Sequence, residues 1–198
     1  MFPVPSEKSY SPDEYLAIER AAESKNEFHD GRIYAMTGAS REHSLITANI
    51  ARELTIQFKN RPCEAYINDM RVGAAGSRNY FYPDVAVICG KPDFEDAQVD
   101  TLLNPTVLIE VLSPSTEAYD RGDKFAQYRK IPSLQEYLLL SPNRPRMERY
   151  ARQGELWVLH EAEGLEAYMV LEAIGCTLTL REVYDKVLDD RADTARSV

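Results

Sequence analysis

The sequence predicts an α/β fold with a mixed central β-sheet flanked by helices and with additional antiparallel strands near the C-terminus. Three observations predict it. Segments with a 3.6-residue apolar period are interleaved with short apolar runs that lack this period. One of these runs, Asn104–Pro114, is apolar throughout except for one residue, as in a central strand. From Arg146 onward the chain contains only short alternating segments separated by turn residues, which is typical of an antiparallel meander.

The first half of the chain is predicted to alternate helices with strands. Ser11 can cap the first helix, Pro12 suits the first helical position, and Glu14 completes a capping box. The next helix follows an apolar 3.6-residue period and ends before Pro62. The predicted elements are an extended lead-in at 1–10, a helix from Ser11 to about Ala22, a hairpin of 27–28 with 32–36, a helix from Ser40 or Glu42 to about Lys59, and strands at 64–72 and 80–89.

The second half is predicted to continue with the most apolar strand, one helix and further strands. Residues 90–103 read as an acidic, mobile connection between two strands. The remaining predicted elements are a strand within 104–114, a helix at 120–131, strands at 136–140, 147–150, 155–160, 167–171 and 177–180, and a disordered tail at 189–198. We therefore expect one domain over 1–198.

The composition limits the class of protein. The chain has 198 residues, 44% of them hydrophobic, which is enough for a substantial core. A net charge of −9 argues against a surface that binds nucleic acid broadly, although a local basic groove stays open. No stretch approaches the roughly 18 apolar residues of a membrane span, so we expect no membrane partner. The widely spaced, odd-numbered cysteines and the lack of a signal pattern in the first ten residues lead us to expect a cytoplasmic protein. Cys63, Cys89 and Cys176 are expected to be reduced core thiols.

Glu110 is the most conspicuous polar residue, because it lies within the most apolar strand. Strand alternation places it on the same face as Leu108 and Leu112, with the opposite face also apolar. An isolated carboxylate there costs several kcal/mol unless a cation or hydrogen-bond donors hold it. A buried Arg or Lys and a bound metal ion both satisfy this requirement.

Asp84 and Lys124 complete a candidate catalytic set with Glu110. Asp84 follows Pro83 at the start of a neighbouring strand, so the two carboxylates can converge and bind Mg²⁺ or Mn²⁺. Such an ion activates water, and an ammonium can orient that water and stabilise charge on the phosphoryl oxygens. The alternatives are that Asp84 is only a turn residue and that Lys124 forms an exposed i,i+4 pair with Asp120.

These residues carry a resemblance to the restriction-endonuclease-like superfamily, whose signature is PD…(D/E)xK. The sequence supplies Pro83-Asp84 and Glu110, but Leu112 stands where the lysine is expected, and Lys124 resembles the migrated lysine known in this superfamily. More narrowly, the chain is similar over about residues 11–185 to a widespread bacterial family of endonuclease-like proteins formerly grouped as a domain of unknown function. The matching motifs are E-x-x-D-G at Glu27–Gly31, His43, Pro83-Asp84, E-V-L-S-P-S at Glu110–Ser115, D-x-x-x-K-x-x-x-Y at Asp120–Tyr128, and Glu136-Tyr137.

The resemblance implies a restriction-endonuclease-like core and a Mg²⁺-dependent site that cleaves phosphodiesters, in which Mn²⁺ substitutes. The implied metal ligands are Asp84, Glu110 and the backbone carbonyl of Val111, with Glu27 as an additional ligand. Lys124 is the implied catalytic amine, and the supporting residues are Glu27, His43, Asp120 and Tyr128. From the residues alone, Glu27 can also be a turn-flanking residue and His43 a structural one.

The leading hypothesis is a Mg²⁺-dependent endonuclease that hydrolyses DNA as a homodimer. A catalytically weak nuclease-fold module for binding or regulation is the alternative, because the chain is acidic and lacks a lysine at 112. A hydrolase of small phosphate esters is a third reading. A local run of Arg144, Arg146, Arg149 and Arg152 is expected either to contact phosphates or to form a solvated strand face or dimer edge.

Overall fold

The computed structural model describes residues 8–74 and 78–188. Most of the predicted lead-in (residues 1–7) and the predicted disordered tail (189–198) lie outside the described residues. In the described ranges, no helix is both long and apolar enough to cross a membrane.

The described elements alternate helices and strands in the first half and are mostly strands after residue 136. In chain order they are α1 (Pro12–Ala21), β1 (Asn26–His29), β2 (Arg32–Ala35), α2 (Arg41–Phe58), β3 (Cys63–Ile67), β4 (Arg71–Ala74), β5 (Asn79–Phe81), β6 (Val85–Cys89), β7 (Thr101–Leu102), β8 (Val107–Val111), α3 (Glu117–Tyr119), a π-helical turn (Asp120–Lys124), α4 (Phe125–Tyr128), β9 (Glu136–Leu140), β10 (Arg146–Gln153), β11 (Leu156–Glu163), β12 (Tyr168–Leu171), a 3₁₀ turn (Glu172–Ile174), β13 (Cys176–Thr179) and α5 (Leu180–Val183).

These strands form two mixed sheets and a hairpin over the described ranges. The six-stranded sheet has the order β11-β10-β9-β8-β6-β3, and its β8 and β9 are parallel while its other pairs are antiparallel. The five-stranded sheet has the order β2-β1-β5-β4-β7, with β4 and β7 parallel. The predicted mixed sheet and the antiparallel C-terminal strands are both present. However, β12 and β13 pair only with each other.

The helix starts follow the capping signals in the sequence. Ser11 and Glu14 form the predicted capping box at α1, because each side chain accepts a hydrogen bond from the other residue's backbone N–H. Ser40 caps α2 by accepting a hydrogen bond from the backbone N–H of His43. The predicted hairpin around Asp30-Gly31 is also present, with Phe28 opposite Ile33.

Two segments predicted as single strands are each divided between the two sheets. The 64–72 prediction is wrong because the chain turns at Asn68, which has a positive φ of 58°, so that β3 joins one sheet and β4 the other. Ile67, at the end of β3, is 41% exposed. The 80–89 prediction is wrong because Pro83 has no N–H for a strand ladder, and the chain leaves the five-stranded sheet there.

The face assignment of β8 is confirmed. Val107, Ile109 and Val111 pack in one core layer with α2 and the β12–β13 hairpin. Leu108 and Leu112 pack in a second layer beneath the helical segment 117–128. All five residues of β8 are buried, so the strand separates two apolar layers and Glu110 projects into the second.

The segments on either side of β8 differ from prediction. The connection 90–103 carries β7 and is held by ion pairs of Asp100 with Arg20 and Arg71, so the expectation of a mobile connection is wrong. The helix predicted from Asp120 begins at Glu117 and contains a π-helical turn. The helix therefore starts three residues before Asp120, the acidic residue at which its start was predicted.

The expectation of three reduced cysteines is wrong for two of them. Cys63 and Cys89 are opposite each other in the β3–β6 register, with their Cα atoms 4.0 Å apart, and form a disulfide. The strand pairing brings them together across 26 residues of sequence, which spacing alone does not reveal. Cys176 is free and buried, as predicted.

Candidate active site

A cavity of about 1470 Å³ lies where the two sheets meet the helical segment 117–128. Glu27 and His29 of β1 contribute to it from the five-stranded sheet, and Glu110 contributes from the six-stranded sheet. The start of α2 and the chain after β8 complete its lining. Every predicted site residue except Tyr128 lines this cavity.

Lys124 is the centre of the polar cluster at this cavity. Its Nζ lies 2.9 Å from Glu27 Oε1 and 2.9 Å from Glu110 Oε1, and 3.9 Å from Asp120 Oδ1. The side chain is only 6% exposed, so the reading of Lys124 as an exposed i,i+4 partner of Asp120 is excluded. Although burial lowers the pKa of Lys124, the three carboxylates raise it well above its ordinary value and keep the amine charged.

Glu110 is held by two donors from the helical segment. The hydroxyl of Tyr128 donates a hydrogen bond of 3.0 Å to Glu110 Oε1, the same oxygen that faces Lys124. Burial raises the pKa of Glu110, Lys124 opposes this, and the charges of Asp120, Asp84 and Glu27 raise it further. Tyr128 does not line the cavity, so its hydroxyl contacts the Glu110 carboxylate from the side away from the cavity.

Asp84 is fixed beside Glu110 by backbone and histidine contacts. Its Oδ2 accepts a 2.7 Å hydrogen bond from the backbone N–H of Val111 and lies 3.1 Å from His43 Nε2. Burial lowers the pKa of His43, but the hydrogen bond to Asp84 and the charges of Asp84 and Asp120 raise it above its ordinary value overall. Asp84 therefore makes contacts beyond those of a turn residue, and the role of His43 stays a prediction.

The cluster carries more negative than positive charge. Asp120 is 3% exposed, and burial raises its pKa while Lys124 opposes the rise. Among the described residues, three carboxylates lie within 3.9 Å of the one lysine ammonium, those of Glu27, Glu110 and Asp120, and the charge of Asp84 acts on Glu110 and Asp120. Such an oxygen-rich, anionic group suits a hard divalent cation.

The site suits a divalent ion because its carboxylate oxygens are hard donors, although they are not arranged as a preformed set of ligands. Over the described ranges, no group of three or more His, Cys, Asp or Glu side chains is close enough together to hold a metal. Mg²⁺ keeps several waters and commonly binds proteins through one or two carboxylates, which Asp84 and Glu110 provide at one cavity wall. The residues present therefore fit Mg²⁺ or Mn²⁺.

His29 is a cavity residue that the sequence analysis missed. Its Nε2 lies 3.1 Å from the side-chain nitrogen of Gln127 and 3.3 Å from Asp30. A signal was available, since His29 is two residues after Glu27 on β1 and strand alternation places both on one face.

The arginine run divides in the structure. Arg149 is buried and pairs with Glu136 at 3.1 Å, and it does not line the cavity of the candidate site. Arg152 donates hydrogen bonds to the backbone carbonyls of Leu134, Ile131 and Arg129. The run therefore does not form one face, because strand alternation and the β9–β10 turn place its members in different surroundings. Phosphate contact by the other two members, Arg144 and Arg146, stays a prediction.

Comparison with known proteins gives consistent results. A family model described as "Uma2: Putative restriction endonuclease" matches residues 12–181. Two uncharacterized proteins of Synechocystis sp. (strain ATCC 27184 / PCC 6803 / Kazusa) are similar. The protein sll1609 is 40% identical over 84% of this chain and 95% of its own length. The protein slr1290 is 35% identical over 88% of this chain and 90% of its own length.

A solved structure shares the fold. The crystal structure described as "a putative nuclease belonging to DUF820 from Anabaena variabilis ATCC 29413" matches with a TM-score of 0.75 and 19% identity, over 90% of this chain and 99% of that one. The predicted mixed α/β architecture is thereby confirmed.

Proposed function

Since the chain belongs to the Uma2 family, whose model covers residues 12–181 and is described as a restriction endonuclease family, we propose that it is a Mg²⁺-dependent endonuclease hydrolysing DNA phosphodiester bonds. The predicted membership of the restriction-endonuclease-like superfamily is confirmed by this match and by the shared fold. The proposal adds the metal, the substrate and the residues that act on it.

The observation that carries the proposal is the buried Glu110, which faces both a lysine ammonium and further carboxylates at one open cavity. A purely structural ion pair of Glu110 and Lys124 would not require the additional acids Asp84 and Asp120, whose charges raise the pKa of Glu110. Carboxylates that have shifted pKa values and cluster in a cleft are characteristic of catalytic and metal-binding sites.

Asp84, Glu110 and the backbone carbonyl of Val111 would hold the ion, with Glu27 as an additional ligand. A bound Mg²⁺ or Mn²⁺ supplies Lewis-acid activation of a phosphoryl oxygen and of a water nucleophile. The hydrogen bond from Val111 N–H to Asp84 keeps that carboxylate at the end of β8, where Glu110 is also exposed to the cavity.

Lys124 would position the attacking water and stabilise charge on the phosphoryl oxygens. An ammonium has three N–H donors, and two of the carboxylates around Lys124, those of Glu27 and Glu110, lie at 2.9 Å. One donor is thus left for substrate or water. Tyr128 would orient Glu110, and His43 would orient Asp84.

Plasmid cleavage in Mg²⁺ or Mn²⁺ tests the proposal. Wild type is expected to cleave, chelation is expected to stop it, and Asp84→Ala, Glu110→Gln and Lys124→Ala are each expected to be at least about 100-fold slower. Glu166→Gln, which neutralises an exposed acid whose side chain is 83% exposed, is the matched control and should cleave normally. Equal cleavage by all variants would identify a contaminating nuclease and contradict the proposal.

A second candidate function is a nuclease-fold module that binds without cutting. It is favoured by the absence of a lysine at position 112 and by the contacts that tie Lys124 to two carboxylates. Calorimetric titration with Mn²⁺ separates the two functions, because the endonuclease requires a binding isotherm that Glu110→Gln weakens. No heat of binding at millimolar Mn²⁺ would favour the module.

We also propose that the endonuclease acts as a homodimer, since two sites are needed to cut two strands in one encounter. The edge strand β11 supports this, because Leu156 and Leu159 on it are 69% and 45% exposed. Sedimentation velocity of the full chain is expected to show a dimer that Leu156→Lys/Leu159→Lys converts to a monomer. A wild-type monomer at all concentrations would contradict it.

A further inference from the structure

A second, smaller pocket of about 240 Å³ adjoins the main cavity. Leu112, Ser113 and Pro114, which follow β8, line both spaces, as do Pro142 and Asn143 of the β9–β10 turn. The lining of the smaller space includes three arginines, Arg121, Arg144 and Arg146. We call this space the arginine pocket. The two spaces therefore share five residues at their boundary.

The two adjoining spaces have opposite charge. The lining of the arginine pocket, all within the described ranges, contains three arginines and only two acids, Glu117 and Glu148. Counted over the same part of the chain, the main cavity has two lysines, Lys25 and Lys124, against seven carboxylates: Glu27, Glu42, Asp69, Asp84, Glu110, Asp120 and Asp123. The acidic main cavity therefore repels a polyanion before a cation binds there, whereas the arginine pocket beside it offers guanidinium donors.

The arginines are held so that hydrogen-bonding capacity remains. The buried carboxylate of Glu148 accepts from Arg121 and Arg146 together, at 3.0 and 3.2 Å from its Oε1. Nε of Arg146 is buried and makes no hydrogen bond to any described residue. The Arg144 side chain is 54% exposed, and its nearest acid, Glu163, is 3.6 Å away. Arg121 also pairs with Glu117, and Arg146 with Glu161, but a guanidinium has five N–H donors, so each arginine keeps donors beyond its ion pairs.

We propose that the arginine pocket is a phosphate-binding subsite, which holds a backbone phosphate one or two nucleotides away from the phosphodiester that is cut. The inference rests on the proposed endonuclease function and names where the substrate strand is anchored. Ser113 is two residues beyond Val111, at most about 7 Å along the chain. Adjacent charges on one DNA strand are about 3.4 Å apart along the helix axis, so the separation suits a neighbouring phosphate. Arginine is the side chain best suited to bidentate phosphate contact.

Binding of a fluorescent oligonucleotide, measured by anisotropy in EDTA so that no cleavage occurs, tests the subsite. The variants are Arg144→Gln, which removes an exposed side chain, and Arg144→Gln/Arg146→Gln. The matched control is Arg181→Gln, since Arg181 is also exposed (58%), paired with one glutamate and absent from both cavity linings. Thermal melting of each variant checks that it is folded.

The double variant is expected to bind about 10-fold more weakly than wild type at low salt, and the slope of log affinity against log salt is expected to fall by about 0.7–1. In the cleavage assay its KM is expected to rise while kcat stays within about two-fold, because the arginines do not touch the reacting atoms. Arg144→Gln alone should show a smaller change in the same direction, and Arg181→Gln none.

Failure of the subsite and failure of the endonuclease proposal give different results. If wild type cleaves and both folded variants keep its affinity and salt slope, the subsite is wrong while the endonuclease stands. If the variants lose affinity but wild type never cleaves, the subsite stands on a protein that binds without cutting. Wild type that neither binds nor cleaves overturns both.

Discussion

Two buried carboxylates on neighbouring parallel strands of one sheet have opposite surroundings. Glu136 on β9 and Glu110 on β8 are 2% and 5% exposed. Glu136 pairs with Arg149 at 3.1 Å and accepts the backbone N–H of Glu172, and it lines neither cavity. Glu110 also has one basic partner, Lys124, but it borders an open cavity that it shares with other acids.

The difference shows that a buried charge pair does not by itself mark a functional site. The Glu136–Arg149 pair joins the sheet to the β12–β13 hairpin, because Arg149 also donates to the carbonyl of Val170 on β12. Its charges are matched one to one. At Glu110 the carboxylates outnumber the ammonium, and the imbalance is stable only where water or a cation can enter. Excess like charge at a cavity is the distinguishing feature.

The largest expected effect is on stability, at the matched pair. Arg149→Leu should lower the free energy of unfolding by about 3–5 kcal/mol, because it leaves Glu136 buried without its cation. Urea unfolding followed by circular dichroism measures this. Glu136→Leu/Arg149→Leu is the control, and it should recover most of the loss since no charge is left buried. A single variant within 1 kcal/mol of wild type would contradict the structural role of the pair.

The second expected effect is on activity, at the unmatched cluster. Lys124→Met should slow DNA cleavage by about 10²–10³-fold, equivalent to about 2.7–4 kcal/mol, because the developing charge loses its ammonium. Its loss of stability in urea should be smaller than that of Arg149→Leu, since water in the cavity can reach Glu27 and Glu110. Full activity in folded Lys124→Met protein would remove Lys124 from the mechanism.

Tyr128→Phe should have an intermediate effect, because it removes one donor and leaves the charges in place. Loss of a hydrogen bond to a carboxylate is worth about 1.5 kcal/mol, so we expect kcat to fall about 10-fold. Tyr168→Phe, at a tyrosine that is 63% exposed, is the control and should leave kcat unchanged. An unaltered kcat in Tyr128→Phe would mean that Glu110 needs no orientation from behind.

The smallest expected effect concerns an exposed pair on the same helical segment as Lys124. Glu117 and Arg121 form an i,i+4 pair of 2.9 Å, with side chains that are 50% and 32% exposed. Glu117→Gln should change the free energy of unfolding by no more than about 0.5 kcal/mol, because solvent screens the pair. A loss above 2 kcal/mol in the same urea titration would show that solvent exposure does not distinguish a weak ion pair, such as Glu117–Arg121, from a strong one, such as Glu136–Arg149.

The sequence was sufficient for features that depend on local pattern. Glu110 stood out because its strand neighbours are apolar, and its face was correct because strand alternation is rigid. The capping boxes and turns depend on a few adjacent residues, so α1, α2 and the first hairpin were placed to within one or two residues.

Features set by long-range pairing were not predictable in the same way. Strands β3 and β4 have similar apolar alternation, so only the turn at Asn68 separates the sheet that each joins. Two of the three partners of Lys124, Glu27 and Glu110, lie on strands outside its helical segment, so the local pattern was equally consistent with an exposed pair with Asp120. The π-helical turn has no established sequence signal, yet it contains both Asp120 and Lys124.

The ion contacts of Lys124 also connect the five-stranded and the six-stranded sheets. Glu27 belongs to the five-stranded sheet and Glu110 to the six-stranded one, and a single amine lies within 2.9 Å of both. A chain in which only one sheet has formed therefore lacks part of the constellation. On the proposed function, cleavage would thus require both sheets to have formed and docked, so a nascent or partly unfolded copy would be inactive.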